Sequence, residues 1–549
     1  MPRKRNCGLV DVEQTISDLA TSPDMDKHTV KPEEGEKREH ADRAEMEADM
    51  ILTFDIGTTA VKASLFGRDL ALLDSETIEY KLITTGTAFV ELEVETYWMG
   101  VRDCVSRLVE RHPEASQRVV AIAATTQGET LIPVDSAGTP LRNAIVWLDG
   151  RADEEARMIR RQWSADAFYT TTGIPDCNGL CPISKLLWLK NHEAEVYNNT
   201  HKMLLLEDYI LFKLTGRFVT EKSLLSTTGY FDIIKDELWS EVLESLGLAV
   251  DMIPEVLDCG EVVGKILPQV AKELNLNTDV RIVTGAMDQV TGAIGAGNIK
   301  PGLVSETTGT ALTVAVTCEE PDMSHPLRLT IYRHAMAGTY LYIPVCMTAG
   351  IALKWFKDEF CLDLSARAER EGTSVYALID DLVESIAAGS DDLILLPNFA
   401  GTTQPDDNPA ARGVFLGVSL ATGRAHFARA VLEGVAYLLR ENLELVESVS
   451  GTTVDEIHSL GGGAKSTIWS QIKADVNQKK IVTLAEAECA SLGTAILVAT
   501  ALGRFSSIEE AASSNRVAAT FVPDEKHRAV YERAYTRYKR TYEQTKDLF

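Results

Sequence analysis

The chain has 549 residues, 45% hydrophobic and 25% charged, which is long enough for at least two globular domains. Its formal charge of −27 and sequence pI near 4.9 argue against the broad phosphate-backbone binding of a DNA- or RNA-binding protein. They leave room for a small anion held by backbone loops and Mg²⁺. No apolar run is as long as a membrane-spanning helix, and the nine cysteines are scattered, without paired CxxC elements or Cys/His clusters. That speaks against a zinc site and for reduced thiols in the cytoplasm.

Residues 1–49 are polar, with 13 acidic and 8 basic side chains. Pro2-Arg3-Lys4-Arg5 is followed by no apolar signal-peptide core, so the segment reads as a disordered acidic tail. A regulatory or partner-binding tail is the other reading. Met46 and Met50 stand just ahead of the first strand, which leaves either as an alternative start.

Met50 to Phe66 (MILTFDIGTTAVKASLF) predicts a buried strand, a tight Gly-Thr turn and a second strand with apolar Val61, Ala63 and Leu65 alternating with Lys62 and Ser64. Gly57 lets the backbone approach a ligand closely. The turn's N–H groups and the Thr58 and Thr59 hydroxyls can cradle phosphate oxygens. Asp55 is a hard oxygen ligand for Mg²⁺, and Lys62 is a compact positive charge. An ordinary hairpin would satisfy the same residues. However, Leu303 to Val316 repeats the pattern, and aligning Gly57-Thr58 on Gly309-Thr310 overlays the two hairpins, with Thr308 at the second turn. Two such loops suggest a duplicated domain around a nucleotide polyphosphate.

Between the hairpins, Leu70 to Tyr80 predicts a strand and Glu95 to Arg111 an amphipathic helix. Val119 to Ala124 is an apolar strand ending in the polar run Thr125 to Thr130, where α/β folds usually bind ligands. A strand through Val146 opens into Trp147-Leu148-Asp149-Gly150-Arg151. Trp147 can pack on a sugar face, while Asp149 and Arg151 can bond hydroxyls or simply pair with each other. Glu207-Asp208 reads as a helix start, and the polar run Ser223 to Thr228 is given no role. In Arg281 to Gly297 a short strand runs into Asp288-Gln289 and a small-residue helix. Asp288 is either a helix cap or a general base for a hydroxyl proton, and the two phosphate-type loops favour the base.

The second half predicts helices over Ala349 to Phe360, Phe427 to Val446 and His527 to Leu548. A strand, Ile457 to Leu460, leads into Gly461-Gly462-Gly463-Ala464-Lys465-Ser466 and a helix over Ile468 to Val476, an order that favours close nucleotide contact but is not a P-loop. Ser491-Leu492-Gly493-Thr494 begins another small-residue helix.

Taken together, these pieces resemble the FGGY family of carbohydrate kinases over roughly residues 50–545. DIGTTAVK is similar to its first phosphate loop, GAMDQVTGAIGAG to its catalytic Asp-Gln segment and ETTGT to its second phosphate loop. GGGAKSTIWSQIKADV is similar to its adenosine-contacting signature, and SLGTAILVATALG to the helix after it. The resemblance implies an α/β fold of two actin/RNase H-like domains around a cleft, sugar-binding over 50–298 and ATP-binding over 299–549, closing during turnover. It implies Asp288 as the base, with Gln289 beside the substrate. Asp55 would sit on Mg²⁺ directly or through water. Gly57, Thr58, Thr59, Lys62, Thr308, Gly309 and Thr310 would lie on the phosphates, and Gly462, Gly463 and Ser466 near adenine and ribose. The family often forms dimers, which leaves a homodimer open; neither nucleic acid nor membrane is expected as a partner.

For substrate recognition, Gln127, Gly128 and Glu129 fall where xylulokinases usually carry Met-His-Gly and glycerol kinases Asn-Gln-Arg-Glu. Trp147, Asp149 and Arg151 look like the sugar kinases. Gly401-Thr402-Thr403-Gln404-Pro405 departs from the family's usual Gly-Glu-Arg-Thr/Ser-Pro. Gly128 leaves more room than Arg would, so the expected substrate is a four- to six-carbon ketose, polyol or sugar acid, a ketopentose first. The alternatives are a glycerol- or erythritol-type kinase, a non-catalytic actin-like nucleotide switch, and a degenerate homologue acting as a scaffold.

Overall fold

The computed structural model describes residues 49–549 except 87, 404, 405 and 407. The tail expected over 1–49, Asp49 apart, and the Gln404-Pro405 part of the departing loop lie outside the described residues.

Two sheets of matching design organise the chain. The first is built from β1 (Met50–Ile56), β2 (Ala60–Phe66), β3 (Leu72–Glu79), β4 (Val119–Thr126), β5 (Val262–Lys265) and β6 (Arg281–Val283), in the spatial order β5-β6-β4-β1-β2-β3. The second contains β7 (Leu303–Thr308), β8 (Leu312–Cys318), β9 (Tyr340–Tyr342), β10 (Glu456–Leu460), β11 (Lys480–Leu484) and β12 (Val517–Phe521). Read outward from the short edge strand Ile331–Arg333, its order is β9-β8-β7-β10-β11-β12. In each sheet the central strand pairs antiparallel with the next strand in sequence and parallel with a strand far along the chain: β1 with β2 and β4, β7 with β8 and β10. This is the duplication that the repeated hairpin suggested, in the RNase H-like form that the family resemblance implied. It sets the two Gly-Thr turns at the same end of their central strands.

Helix α1 (Glu95–Arg111) buries Tyr97, Trp98, Val101, Val105 and Leu108, the stripe that the spacing predicted. It covers Phe54, Val61 and Ala63 of β1 and β2. Each such side chain contributes roughly 1.5–3 kcal/mol of burial. The remaining helices used below are α2 (Pro182–His192), α3 (Asp288–Gly295), α4 (Gly350–Phe360), α5 (Arg424–Ser450), α6 (Thr467–Asn477) and α7 (Cys489–Ala501). Helices α3 and α7 cross through glycine: a Cβ on Gly295 would stand 1.9 Å from the Cys489 carbonyl oxygen, and one on Gly493 1.9 Å from that of Thr291. Only the small residues read from the sequence allow this approach. The contact ties the half carrying Asp288 to the half carrying β10 and β11.

Among the described residues no helix is long and apolar enough to cross a membrane, and all eight cysteines among them are free thiols.

Candidate functional site

The first turn is tight: the Gly57 N–H donates to the Ala60 carbonyl at 3.0 Å, and the Tyr80 hydroxyl donates to the Gly57 carbonyl. Thr58 is half-buried and its hydroxyl accepts from Trp147 Nε1 at 2.9 Å, while Thr59 is exposed. Trp147 thereby joins the segment after Val146 to the first Gly-Thr turn. The second turn has the same make-up, with Gly309 N–H donating to Ala311 O at 3.0 Å. There Thr308 is buried and Thr310 exposed. The N-terminus of α4 closes on it, the N–H of Gly350 donating to Gly309 O at 2.8 Å and that of Ala349 to Thr310 O at 3.0 Å.

Behind the second turn lies a pair that sequence reading missed. Lys473 of α6 and Glu306 of β7 are both fully buried. The Lys473 ammonium donates to Glu306 Oε1 at 2.5 Å, to Thr308 Oγ1 at 2.9 Å and to Ser459 Oγ at 3.2 Å. Gly463 lies against the same threonine: a Cβ there would stand 2.7 Å from Thr308 Cβ. Gly462 is exposed. The Ser466 hydroxyl caps α6 by accepting from Trp469 N at 3.1 Å, and donates to Asp380 at 3.0 Å. Replacing Gly463 with Ala is expected to push Thr308 out of its seat and raise KM for ATP by about tenfold with little change in the sugar KM; steady-state kinetics with each substrate varied would show the split.

Asp288 opens α3 where β6 and the short strand Ala286–Met287 end beside β4. Its approach is fixed by bonds from distant segments: Gly285 N–H donates to Glu207 Oε1 at 2.7 Å, Met287 N–H to Ser223 Oγ at 2.9 Å, and Thr125 Oγ1 to Ala286 O at 2.8 Å. Burial and the nearby Asp55 charge push the Asp288 carboxyl up to about 7, Glu129 adding to the rise while the Gln289 N–H and side chain oppose it. Burial likewise raises Asp55 to about 6, against the pull of Lys62 and with a further push from Glu488. Glu129, in the left-handed backbone region at φ 64°, is raised by burial to about 7, with Lys185 opposing. The charges of Asp55 and Glu129 both disfavour ionisation of Asp288, so the three carboxylates share one neighbourhood.

Glu129 also lines a cavity of about 730 Å³ that draws Cys181 from the start of α2 and Arg328, Thr330, Tyr332 and Thr403 from the second half. Burial first, then the charges of Glu129, Cys181 and Asp288, push the Tyr332 phenol well up. The fully buried Lys185 of α2 holds this wall together: its ammonium donates to the Val146, Trp147 and Glu129 carbonyls at 3.1, 3.0 and 3.4 Å. Gln127 is buried, its amide directed to Thr130 Oγ1 at 3.2 Å and to the Tyr97 hydroxyl at 3.4 Å. Gln289 is half-buried next to Asp288.

Three expectations change. Gly128 does not open free space: a Cβ there would meet Thr227 Oγ1 at 3.2 Å and Met287 Sδ at 3.4 Å, so Thr227 fills the room that a missing side chain was expected to leave. Asp149 and Arg151, 0% and 1% exposed, bond each other at 2.7 and 2.8 Å, with Arg151 also on Glu91 at 2.6 Å and stacked over Phe89 and Trp188. This is the internal ion pair weighed beside the hydroxyl-binding reading, and it offers no free charge to a ligand. The Lys62 ammonium is bound to Glu488, across the junction of the halves, rather than standing free at the turn. Ser223 and Thr227, in the polar run that sequence reading left without a role, are the residues that seat Met287 and Gly128.

As for metal, no group of three metal-ligating side chains occurs among the described residues. Asp55, whose carboxylate takes no hydrogen bond from them, is a single hard ligand of the kind that holds Mg²⁺ together with substrate phosphates.

Residues 50–295 match the model of the FGGY family of carbohydrate kinases, N-terminal domain, and residues 304–502 that of its C-terminal domain. A xylulose kinase of Staphylococcus epidermidis is 30% identical over 504 residues, 92% of this chain and 98% of that one. A gluconokinase of Bacillus subtilis is 29% identical, over 86% of this chain and 91% of that one. The solved structure of a ligand-bound xylulose kinase from Lactobacillus acidophilus superposes with a TM-score of 0.82 at 26% identity, covering 90% of this chain and 98% of that one.

Proposed function

The chain belongs to the FGGY family of carbohydrate kinases and is a phosphotransferase acting on a sugar hydroxyl, and from this premise we propose that it phosphorylates a ketopentose of the xylulose type, or a related polyol or sugar acid, with Mg²⁺-ATP. The observation that supports this most is Asp288, a half-buried carboxylate at the head of α3 with its pKa raised by burial and Asp55, beside a cavity lined by Glu129 and Tyr332. We assign the sugar side to residues 50–298, the nucleotide side to 299–549, and the protein to the cytoplasm.

In this mechanism Asp288 accepts the proton of the attacking hydroxyl, which places the sugar oxygen within hydrogen-bond reach of the carboxylate and in line with the γ-phosphate. Glu129 accepts from a second hydroxyl, and Trp147 lies against the sugar while bonding Thr58. The backbone N–H groups and hydroxyls of the two Gly-Thr turns hold the phosphates, so most of the rate gain comes from positioning and charge stabilisation. Asp55 would hold Mg²⁺, which supplies neutralising charge at the phosphate oxygens. Closure of the halves excludes water, which would otherwise compete as acceptor.

The gluconokinase relatives keep a sugar acid in view, although the guanidinium on the cavity wall, that of Arg328, is already paired with Asp166. A coupled ADP-release assay with D- and L-xylulose, D- and L-ribulose, gluconate, erythritol and glycerol decides among them. Xylulose or ribulose far above the sugar-free background is the expected result. Gluconate alone moves the substrate class to sugar acids, and glycerol or erythritol alone overturns the ketopentose reading. With the substrate in hand, kcat/KM is expected to rise with pH through about 7 and level off above it, as a base must be ionised to accept a proton. A profile flat down to about pH 5.5 would remove Asp288 from that role.

A further inference from the structure

The end of β1 remote from the Gly-Thr turn carries a charge cluster that the kinase reaction does not use. Helix α7 ends at Ala501, and Gly503 at φ 71° turns the chain back so that the Arg504 N–H donates to Ala499 O at 2.9 Å. This C-terminal turn aims the Arg504 side chain at the start of β1. There the side chain is 8% exposed, and both Nη1 and Nη2 are buried without a hydrogen-bond partner. Its one counter-charge among the described residues is the Asp49 carboxylate, 3.4 Å from Nη2 and itself 39% exposed.

Two more arginines lie at this end of the sheet. Ile51, at the start of β1, pairs with Phe66, the last residue of β2, and Arg68 stands in the turn just beyond it, its charge reaching Arg504. Ile51 also pairs with Ala121 of β4, which pairs with Arg281 of β6, placing Arg281 two strands away at the same level, about 10 Å across the sheet. Neither has an ion-pair partner among the described residues, and both their charges press against that of Arg504, whose pKa burial lowers first. Buried guanidinium groups are normally paired, and a buried polar group left unsatisfied points to an ion or water that completes it. Here three cations face one carboxylate in a protein whose net charge is −27.

We propose that Arg504, Arg68 and Arg281 form a binding site for a small phosphate-type oxyanion, inorganic phosphate or a phosphate monoester, at the back of the junction between the two halves. The site is distinct from the phosphate loops, because Asp49, just ahead of β1, and Asp55, near its far end, are about 20 Å apart. Guanidinium forks suit such an anion, each offering two parallel N–H donors. The anion would bridge the halves: Arg504 follows α7, which packs on α3 and so on the helix headed by Asp288, whereas Arg68 and Arg281 belong to the first sheet.

The test is calorimetric titration of the full chain with inorganic phosphate in saturating Mg²⁺-ADP, so that the nucleotide loops are filled. One phosphate per chain is expected, with affinity reduced at least about tenfold in Arg504→Met and by a similar factor in Arg281→Ala, whose exposed side chain has no packing to lose. A parallel titration with a sugar phosphate, read only as the binding lost in Arg504→Met because a sugar phosphate also binds the catalytic cleft as product, separates the two sources: tighter Arg504-dependent binding than phosphate identifies a monoester, weaker binding the free ion. Absence of phosphate binding below about 20 mM, or binding unchanged in both variants, overturns the proposal.

Discussion

Asp288→Asn is expected to lower kcat by about three orders of magnitude while Mg²⁺-ATP still binds with near-native affinity. Asparagine keeps the shape and the start of α3 but cannot take the hydroxyl proton; its amide oxygen can still accept from Gln289, and the other local bonds run through the backbone of Gly285, Ala286 and Met287. The same variant carries a second signature. The carboxyl is raised from 3.8 to about 7 in the folded protein, so the folded state holds its proton more tightly than the unfolded chain does. The stability this confers is complete below about pH 4 and is lost as pH rises through about 7. The neutral amide never ionises, so Asp288→Asn should match the parent in unfolding free energy near pH 4 and exceed it by on the order of 2 kcal/mol at pH 8. Loss of turnover with a gain in stability confined to high pH marks an ionised group kept for chemistry. Near-normal turnover, or a loss of stability at every pH, would mean that Asp288 is a structural cap.

What the sequence made legible and what it hid divide along a physical line. The two hairpins, α1 and the glycine-lined helices α3 and α7 rest on local signals: alternation with period two, apolar spacing near 3.6, and small residues where helices meet. The repeated Gly-Thr turn went further, because two copies fix a duplicated topology that one could not. The hidden residues depend on partners far along the chain. Lys473 bonds Glu306, 167 residues away, and Lys185 bonds Val146 and Trp147 at separations of 39 and 38. No periodicity announces such pairs. Likewise, that Asp149 and Arg151 serve each other follows from Glu91, Phe89 and Trp188 enclosing Arg151, and that Gly128 is crowded follows from Thr227, in a run that looked featureless. Burial, which decides whether a charge is free for a ligand, is a tertiary quantity.

The Lys473–Glu306 pair carries the largest structural effect. Both side chains are fully buried, and together they fix the Thr308 hydroxyl, which donates to Glu306 Oε2 at 2.7 Å. Removing one partner of a buried pair leaves an uncompensated charge and typically costs about 3–5 kcal/mol, whereas replacing both with neutral groups of similar shape often costs little. Lys473→Met is therefore expected to lower unfolding free energy by about 3–5 kcal/mol, and Lys473→Met with Glu306→Gln to recover most of it. Activity should not follow stability. The double variant restores the fold but leaves Thr308 without its charged clamp, so KM for ATP should stay elevated by about tenfold at a temperature where the variant is fully folded. Denaturant unfolding of the parent, both single variants and the double variant gives the coupling energy, and the ATP dependence of the folded double variant gives the second quantity. If ATP affinity recovers along with stability, the pair serves the core alone. If affinity stays low in a stable protein, the buried charges hold the second Gly-Thr turn in the geometry that grips phosphate.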